Sequence, residues 1–227
     1  MKSTIEIRGR DDYVMFQSIT KLFIAIAVAY LVFKKGLNYS DQIVKFLPKY
    51  KHAGITILDI LQHKSGLYYD WDNSNEYQTS LDHRRFALNL DQVAPVGEFH
   101  YNNYAYDILC EVVEKITGTR IDRFLGSIFF DRYGIKYFWY TKRKPFGGFG
   151  LAIPTKEIYK LPCLMNFLAS IKYKHKLEHD LHGKYIGHSG SGGQFLYFTP
   201  DFEEFIFLAN TGSEPFDNEF TWTDLGL

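Results

Sequence analysis

The chain has 227 residues, 46% of them hydrophobic and 23% charged. That is enough to bury a sizeable core without disulfide staples, and too apolar for a disordered or fibrous chain. Lys plus Arg and Asp plus Glu each number 26, so the net charge is zero and no overall field draws the chain to nucleic acid or an anionic membrane.

Residues 4–8 alternate Ile5 and Ile7 with polar neighbours, the pattern of an edge strand that can pair with strands elsewhere in the chain. Residues 18–35 have helix composition and a Gly36 stop signal. Within them the apolar run LFIAIAVAYLVF at 22–33 has twelve residues, short of the roughly 20 that span a bilayer, and reads as a buried core helix. Lys34, Lys35 and Gly36 follow it in place of a small-residue cleavage site, so a cytoplasmic location is expected. Short helices are expected at 41–47 before Pro48 and at 57–62, where Thr56 can cap. At 104–117, Ile108, Val112 and Ile116 recur every four residues ahead of a Gly118 stop, and a second helix is expected at 122–130. A helical stretch follows at 155–171, with Pro162 marking a kink or its true start. The runs 184–188, 194–199 and 204–209 are β-rich and separated by Gly-rich or Pro-Asp turns, as in an antiparallel meander. The two cysteines, Cys110 and Cys163, lie in apolar patterns that suit small buried hydrophobes, not a disulfide framework. Strands at both ends around a helical middle give an α+β fold in one domain over 1–227, with helices at about 18–171 and C-terminal strands at about 184–210.

Three short motifs carry chemistry. Ser18-Ile19-Thr20-Lys21 puts a hydroxyl and an amine one helical turn apart, and an amine in a partly dry cleft can take the proton of a serine nucleophile. The competing reading is a capping serine followed by a solvated lysine, which the apolar helix around it disfavours. Tyr101-Asn102-Asn103 precedes a helix and can aim a phenol and an amide into a cleft, although Asn103 as a plain N-cap beside a packed Tyr101 accounts for it equally. His188-Ser189-Gly190 ends a strand where small residues admit a substrate backbone, or it is merely a Gly-rich hairpin.

The order of these motifs, together with ITILDILQHKSGL at 55–67, GEFHYNNYAYDILCEVVEKITG at 97–118 and GHSGSGGQFLYFTPDFEEFIFLANTG at 187–212, resembles the penicillin-recognising serine hydrolases. The likeness is to the branch of class C β-lactamases, D-stereospecific peptidases and esterases. The resemblance implies a β-lactamase/transpeptidase-like fold, with an antiparallel sheet of N- and C-terminal strands packed on the helical region. It implies Ser18 as the acylated nucleophile, Lys21 as its activating amine, Tyr101 as proton shuttle and Asn103 as a substrate-orienting amide. His188 stands where the penicillin-binding branch has a lysine. Gly190 and Ser191 line the substrate strand, and the N–H groups of Ser18 and Ser191 form the oxyanion hole. Against the family pattern the chain is short at both ends, with only 17 residues ahead of Ser18.

The implied function is hydrolysis of a small ester, amide or β-lactam through an acyl-enzyme, with esterase or D-peptidase activity favoured by His188. It needs no cofactor and no metal, involves neither nucleic acid nor membrane, and leaves the oligomeric state open. The rival is a non-catalytic relative in which the same fold serves as a binding or structural protein. Other patterns are set aside. The histidines at 175, 179 and 182 lack the H-E-x-x-H context of a zinc pair, and the acidic run at 70–74 lacks the glycine and glutamate of a calcium loop. Lys172, Lys174 and Lys176 read as a solvated connection, and Gly147-Gly148-Phe149-Gly150 reads as a tight turn.

Overall fold

The computed structural model describes residues 1–69, 83–140, 144–174, 181–182 and 184–211. The acidic run at 70–74, the C-terminal tail and the side chains of the histidine run lie outside the described residues. Five strands, β1 (Lys2–Arg8), β5 (Leu181–His182), β6 (Tyr185–Gly190), β7 (Gln194–Phe198) and β8 (Glu204–Asn210), form one sheet in the order β1-β8-β7-β6-β5. The C-terminal strands are antiparallel, as their alternation and turns predict. β1 takes the expected edge but runs parallel to β8, from Lys2 opposite Glu204 to Arg8 opposite Asn210, so the sheet is mixed where an antiparallel one was expected. The exits of both strands are pinned together: Thr211 N–H donates to Arg8 O at 2.8 Å, and Asp11 N–H donates to Thr211 Oγ1 at 3.0 Å.

A second sheet, absent from the sequence reading, joins β2 (Tyr13–Met15), β3 (Phe138–Trp139) and β4 (Leu151–Pro154) in the order β2-β4-β3. Two- to four-residue strands are too short for alternation to show. The apolar run forms α1 (Thr20–Phe33), buried along nearly its whole circumference, as a helix without a polar face must be. Its neighbourhood bridges the layers through rings. Phe16 lies 5.5 Å from Phe207 of β8, Phe23 stacks on Phe130 at 5.3 Å, and Tyr30 stacks on Phe167 at 6.2 Å. Among the described residues no helix is long and apolar enough to cross a membrane.

The expected helices are found with adjusted ends. Residues 41–47 contribute only a 3₁₀ turn, Ile43–Lys45, because Gln42 is held extended by a bridge to Thr56. α2 (Ile57–Leu61) starts with a capping box between Thr56 and Asp59. α3 (His83–Leu88) was not foreseen. α4 (Ala105–Thr117) stops at Gly118, whose φ of +66° is the left-handed cap that glycine suits. Residues 122–130 divide into α5 (Ile121–Leu125) and a π turn, Gly126–Phe130. Pro162 separates a 3₁₀ turn, Thr155–Lys160, from α6 (Cys163–Ser170), so it marks the true start of that helix.

A buried ionic cluster joins α3 to α4 and to the loop before β4. Asp107, fully buried, accepts from His83 Nδ1 at 2.5 Å and from Gly147 N–H at 2.6 Å, with Arg84 Nε at 3.5 Å. His83 Nε2 reaches Lys144 O at 3.0 Å, and Arg84 Nη2 donates to Pro145 O at 2.8 Å. Both His83 nitrogens face oxygen acceptors, so the ring satisfies them when it carries both protons. Removing the carboxylate would take away the acceptor of the buried His83 Nδ1 and Gly147 N–H and leave Arg84 with its contacts to Glu114 at 3.4 Å and Glu111 at 3.7 Å. Asp107→Ala is therefore expected to cost about 3–5 kcal/mol, read as a lowered midpoint in urea unfolding, whereas Lys45→Ala, whose partner Asp41 is a surface pair, should change stability by less than about 1 kcal/mol.

Candidate active site

Ser18 occupies a 3₁₀ turn, Gln17–Ile19, at the entrance to α1. β4 clasps this turn at both ends. Phe16 N–H donates to Leu151 O at 2.9 Å, and Leu151 N–H donates to Thr20 Oγ1 at 3.2 Å. Gln17 is held at φ +46°, a left-handed conformation that few non-glycine residues adopt and that the two clasps impose next to Ser18.

One turn on, Lys21 has no exposed surface. Its Nζ donates to Ser18 Oγ at 2.9 Å and to Gly148 O at 2.7 Å, and lies over the rings of Tyr101 at 5.0 Å and Tyr106 at 5.7 Å. Ser18 Oγ is 2.9 Å from Tyr101 Oη, and either oxygen can be the donor. The structure thus joins Ser18, Lys21 and Tyr101 in one hydrogen-bonded unit, with Lys21 buried where the solvated alternative would have it exposed. A hydroxyl touching both an amine and a phenol can lose its proton to whichever of the two is deprotonated.

The Tyr-x-Asn loop resolves differently from its simplest reading. Asn102, not Asn103, serves the start of α4, its Oδ1 accepting from Tyr104 N–H at 2.9 Å and Ala105 N–H at 3.0 Å. The Asn102 amide also donates to Leu67 O and Tyr68 O, at 3.1 and 3.0 Å, and so ties the loop to residues 67–69. Relieved of capping, Asn103 donates from Nδ2 to Tyr69 Oη at 2.7 Å.

The end of β6 lies beside the Ser18 turn. A Cβ on Gly190 would stand 2.4 Å from Gln194 Oε1, 3.0 Å from Phe16 O and 3.2 Å from Gln17 Cβ, so a side chain there would displace Gln194 and press on the turn. Ser191 is exposed in the β6–β7 turn. Gln194 folds over that turn, its Oε1 accepting from Gly192 N–H at 3.1 Å. His188, buried opposite Leu196 in β7, donates from Nδ1 to Ser189 O at 2.7 Å. It thus sits on the strand beside the Ser18 turn, outside the Ser18–Lys21–Tyr101 hydrogen-bonded unit. Cys110 is fully buried, which drives its thiol well above the ordinary range, and burial pushes the Cys163 thiol up to about 11, so neither is a ready nucleophile.

Several site residues escaped the sequence reading. Gly148 lies in the stretch taken for a tight turn, yet that stretch is buried and its carbonyl holds Lys21. Tyr69 and Gln194 belong to no motif, and a backbone carbonyl leaves no residue-type signal. The glycines of the stretch were the one visible sign, since a Cβ on Gly147 or Gly148 would run into the backbone of α4 or of the loop before it.

A family model described as Beta-lactamase matches residues 10–156. Among curated proteins, the chain is 29% identical over 127 residues to "Penicillin-binding protein 4*" of Bacillus subtilis, covering 50% of this chain and 27% of that one. It is 32% identical over 85 residues to "Teichoic acid D-alanine hydrolase" of Staphylococcus aureus, covering 36% and 21%. The chain thus matches about a quarter of the length of these relatives. Two solved structures share the fold: a D-stereospecific amidohydrolase from Streptomyces sp. (TM-score 0.61, 15% identity, 86% of this chain and 81% of that one) and a penicillin-binding protein homologue from Caulobacter crescentus (TM-score 0.66, 14%, 89% and 80%).

The seat of Lys21 can be disturbed without touching it. In Gly148→Ala the new Cβ would lie 2.3 Å from the backbone oxygen of Asn103, so the loop must shift. A loss of about 1–3 kcal/mol in urea unfolding is expected, as for overpacked interiors.

Proposed function

The chain belongs to the Beta-lactamase family and has its β-lactamase/transpeptidase-like α+β fold, and from that premise we propose that it is a serine hydrolase that cleaves small esters or amides through an acyl-enzyme on Ser18. The observation that carries this reading is the contact of one hydroxyl with Lys21 Nζ and Tyr101 Oη, each at 2.9 Å. Ser18 Oγ attacks the substrate carbonyl carbon as its proton passes into the Lys21–Tyr101 pair. The tetrahedral oxygen is held by the N–H groups of Ser18 and Ser191. The proton then goes to the departing alcohol or amine through Tyr101, the C–O or C–N bond breaks, and the acyl group stays on Ser18. Water releases it by the reverse proton path. Asn103 and the β6 edge at Gly190 orient the substrate.

The names of the relatives make D-alanyl esters and D-amino acid amides the first substrates to try. A histidine at 188, where the penicillin-binding branch has a lysine, favours neutral substrates over carboxylate-bearing ones at alkaline pH.

A fluorophosphonate or a fluorescent penicillin should raise the intact mass by one adduct, and Ser18→Ala should abolish that labelling. Lys21→Ala and Tyr101→Phe should each slow ester hydrolysis by roughly 100-fold or more, and the double variant should be little worse than either, since both groups serve one proton path. Wild-type rates in both single variants would take Lys21 and Tyr101 out of the proton path, and a wild type that neither labels nor turns over esters and amides would remove the hydrolase reading and leave a binding role.

A lysine at this place keeps its positive charge at pH 8, whereas a neutral imidazole offers a substrate carboxylate no ionic attraction. Neutral esters should be turned over at least as well as carboxylate-bearing ones at pH 8, and His188→Lys should shift the kcat/KM ratio toward carboxylates there. A strong carboxylate preference of the wild type at pH 8 that the lysine variant leaves unchanged would take His188 out of substrate recognition.

A further inference from the structure

His63 follows α2 and lies wholly inside the protein, 1% exposed. Its backbone has φ +55°, and it is the left-handed residue of a helix-ending motif, with His63 N–H donating to Ile60 O at 3.1 Å and Lys64 N–H to Asp59 O at 2.7 Å. Glycine is the usual residue at such a position and asparagine the next, because a Cβ there is strained. A buried imidazole standing in its place invites the question of what the ring holds.

It holds the segment that carries Tyr101, from three directions. His63 O accepts from His100 N–H at 2.6 Å, on one side of Tyr101. His63 Nδ1 accepts from Asn102 N–H at 2.9 Å, on the other side. The ring itself stacks on the Tyr101 ring, with centroids 4.4 Å apart and planes 27° from parallel. An Nδ1 that accepts is unprotonated, so the neutral ring with its proton on Nε2 is the form the contact requires. The phenol so gripped is the one 2.9 Å from Ser18 Oγ.

The geometry points to His63 as the positioning residue for Tyr101: it fixes the backbone on both sides of the phenol and the plane of its ring, and so sets the distance from Oη to Ser18 Oγ. The inference deepens the hydrolase reading and rests on it. The His63 ring also meets Tyr106 at 5.2 Å, one of the two rings under Lys21 Nζ, but the two hydrogen bonds and the stack described above are all to the segment of Tyr101. Proton transfer depends steeply on such placement, and a displacement of about 1 Å can cost on the order of 100-fold in rate.

The test is a double-mutant cycle with p-nitrophenyl acetate turnover and fluorophosphonate labelling as readouts. His63→Ala in the full chain should slow acylation by about 100-fold with KM little changed. His63→Asn, which suits the left-handed backbone and places an amide oxygen near the site of Nδ1, should recover part of the loss, because it restores the bond to Asn102 but not the stack. In a Tyr101→Phe background, which already lacks the hydroxyl, His63→Ala should have almost no further effect. Wild-type acylation in His63→Ala would overturn the inference, as would an equal loss in the wild-type and Tyr101→Phe backgrounds. If His63→Ala does not fold, the same cycle run with His63→Asn decides the matter, and its loss must likewise vanish when Tyr101 is phenylalanine. These failures are separable from failure of the hydrolase reading, which is seen in the wild type: a parent protein that forms no adduct and turns over no ester overturns both.

Discussion

A primary amine with no exposed surface lies in the first turn of an otherwise apolar helix, and much of the surrounding structure is arranged to accommodate it. Burying an amine costs several kcal/mol unless hydrogen-bond partners and polarisable faces replace its water. Gly148 O, Ser18 Oγ and the rings of Tyr101 and Tyr106 do this for Lys21. Each is anchored in turn. The loop of Gly148 is gripped by the Asp107 cluster through Gly147 N–H, Pro145 O and Lys144 O, and β4 clasps the Ser18 turn a few residues on. Tyr106 Oη donates to Leu61 O at 2.9 Å, which ties the second ring to the end of α2. The seat of one side chain is thus distributed over α2, α3, α4 and β4.

The aromatic content has a local meaning in this setting. Phe99, His63, Tyr101 and Tyr106 pack as a cluster around the tyrosine of the site, with His63 in contact with the other three rings, and Tyr69 meets Tyr104 edge-on at 4.9 Å. Rings lose few rotamers on burial and hold their planes by offset and edge-to-face contact, which suits a cleft where a phenol must keep a set angle.

Long periodic segments and punctuation were legible in the sequence: the apolar run of α1, the four-residue repeat of α4 with its Gly118 stop, the capping Thr56 and the three late strands. Ser18, Lys21 and Tyr101 were singled out as residue types in a motif order, and they meet in space. What was not legible depends on backbone atoms and on pairings distant in sequence. The short strands β2, β3 and β4 are set by each other, the parallel direction of β1 by its tie to Thr211, and the acceptor for Lys21 by a carbonyl whose residue has no side chain. His63 stood in a quoted stretch with no role attached, because its partners, His100 and Asn102, lie almost forty residues downstream, beyond the reach of any local pattern.

Whether the hydroxyl joined to Lys21 and Tyr101 is the nucleophile is read most directly by peptide mapping of a fluorophosphonate adduct by mass spectrometry. A single modified residue, Ser18, is expected, which alone among the described residues combines partial exposure with contacts to an amine and a phenol. An adduct on Ser65, Ser189 or Ser191, with Ser18 unmodified, would contradict this expectation.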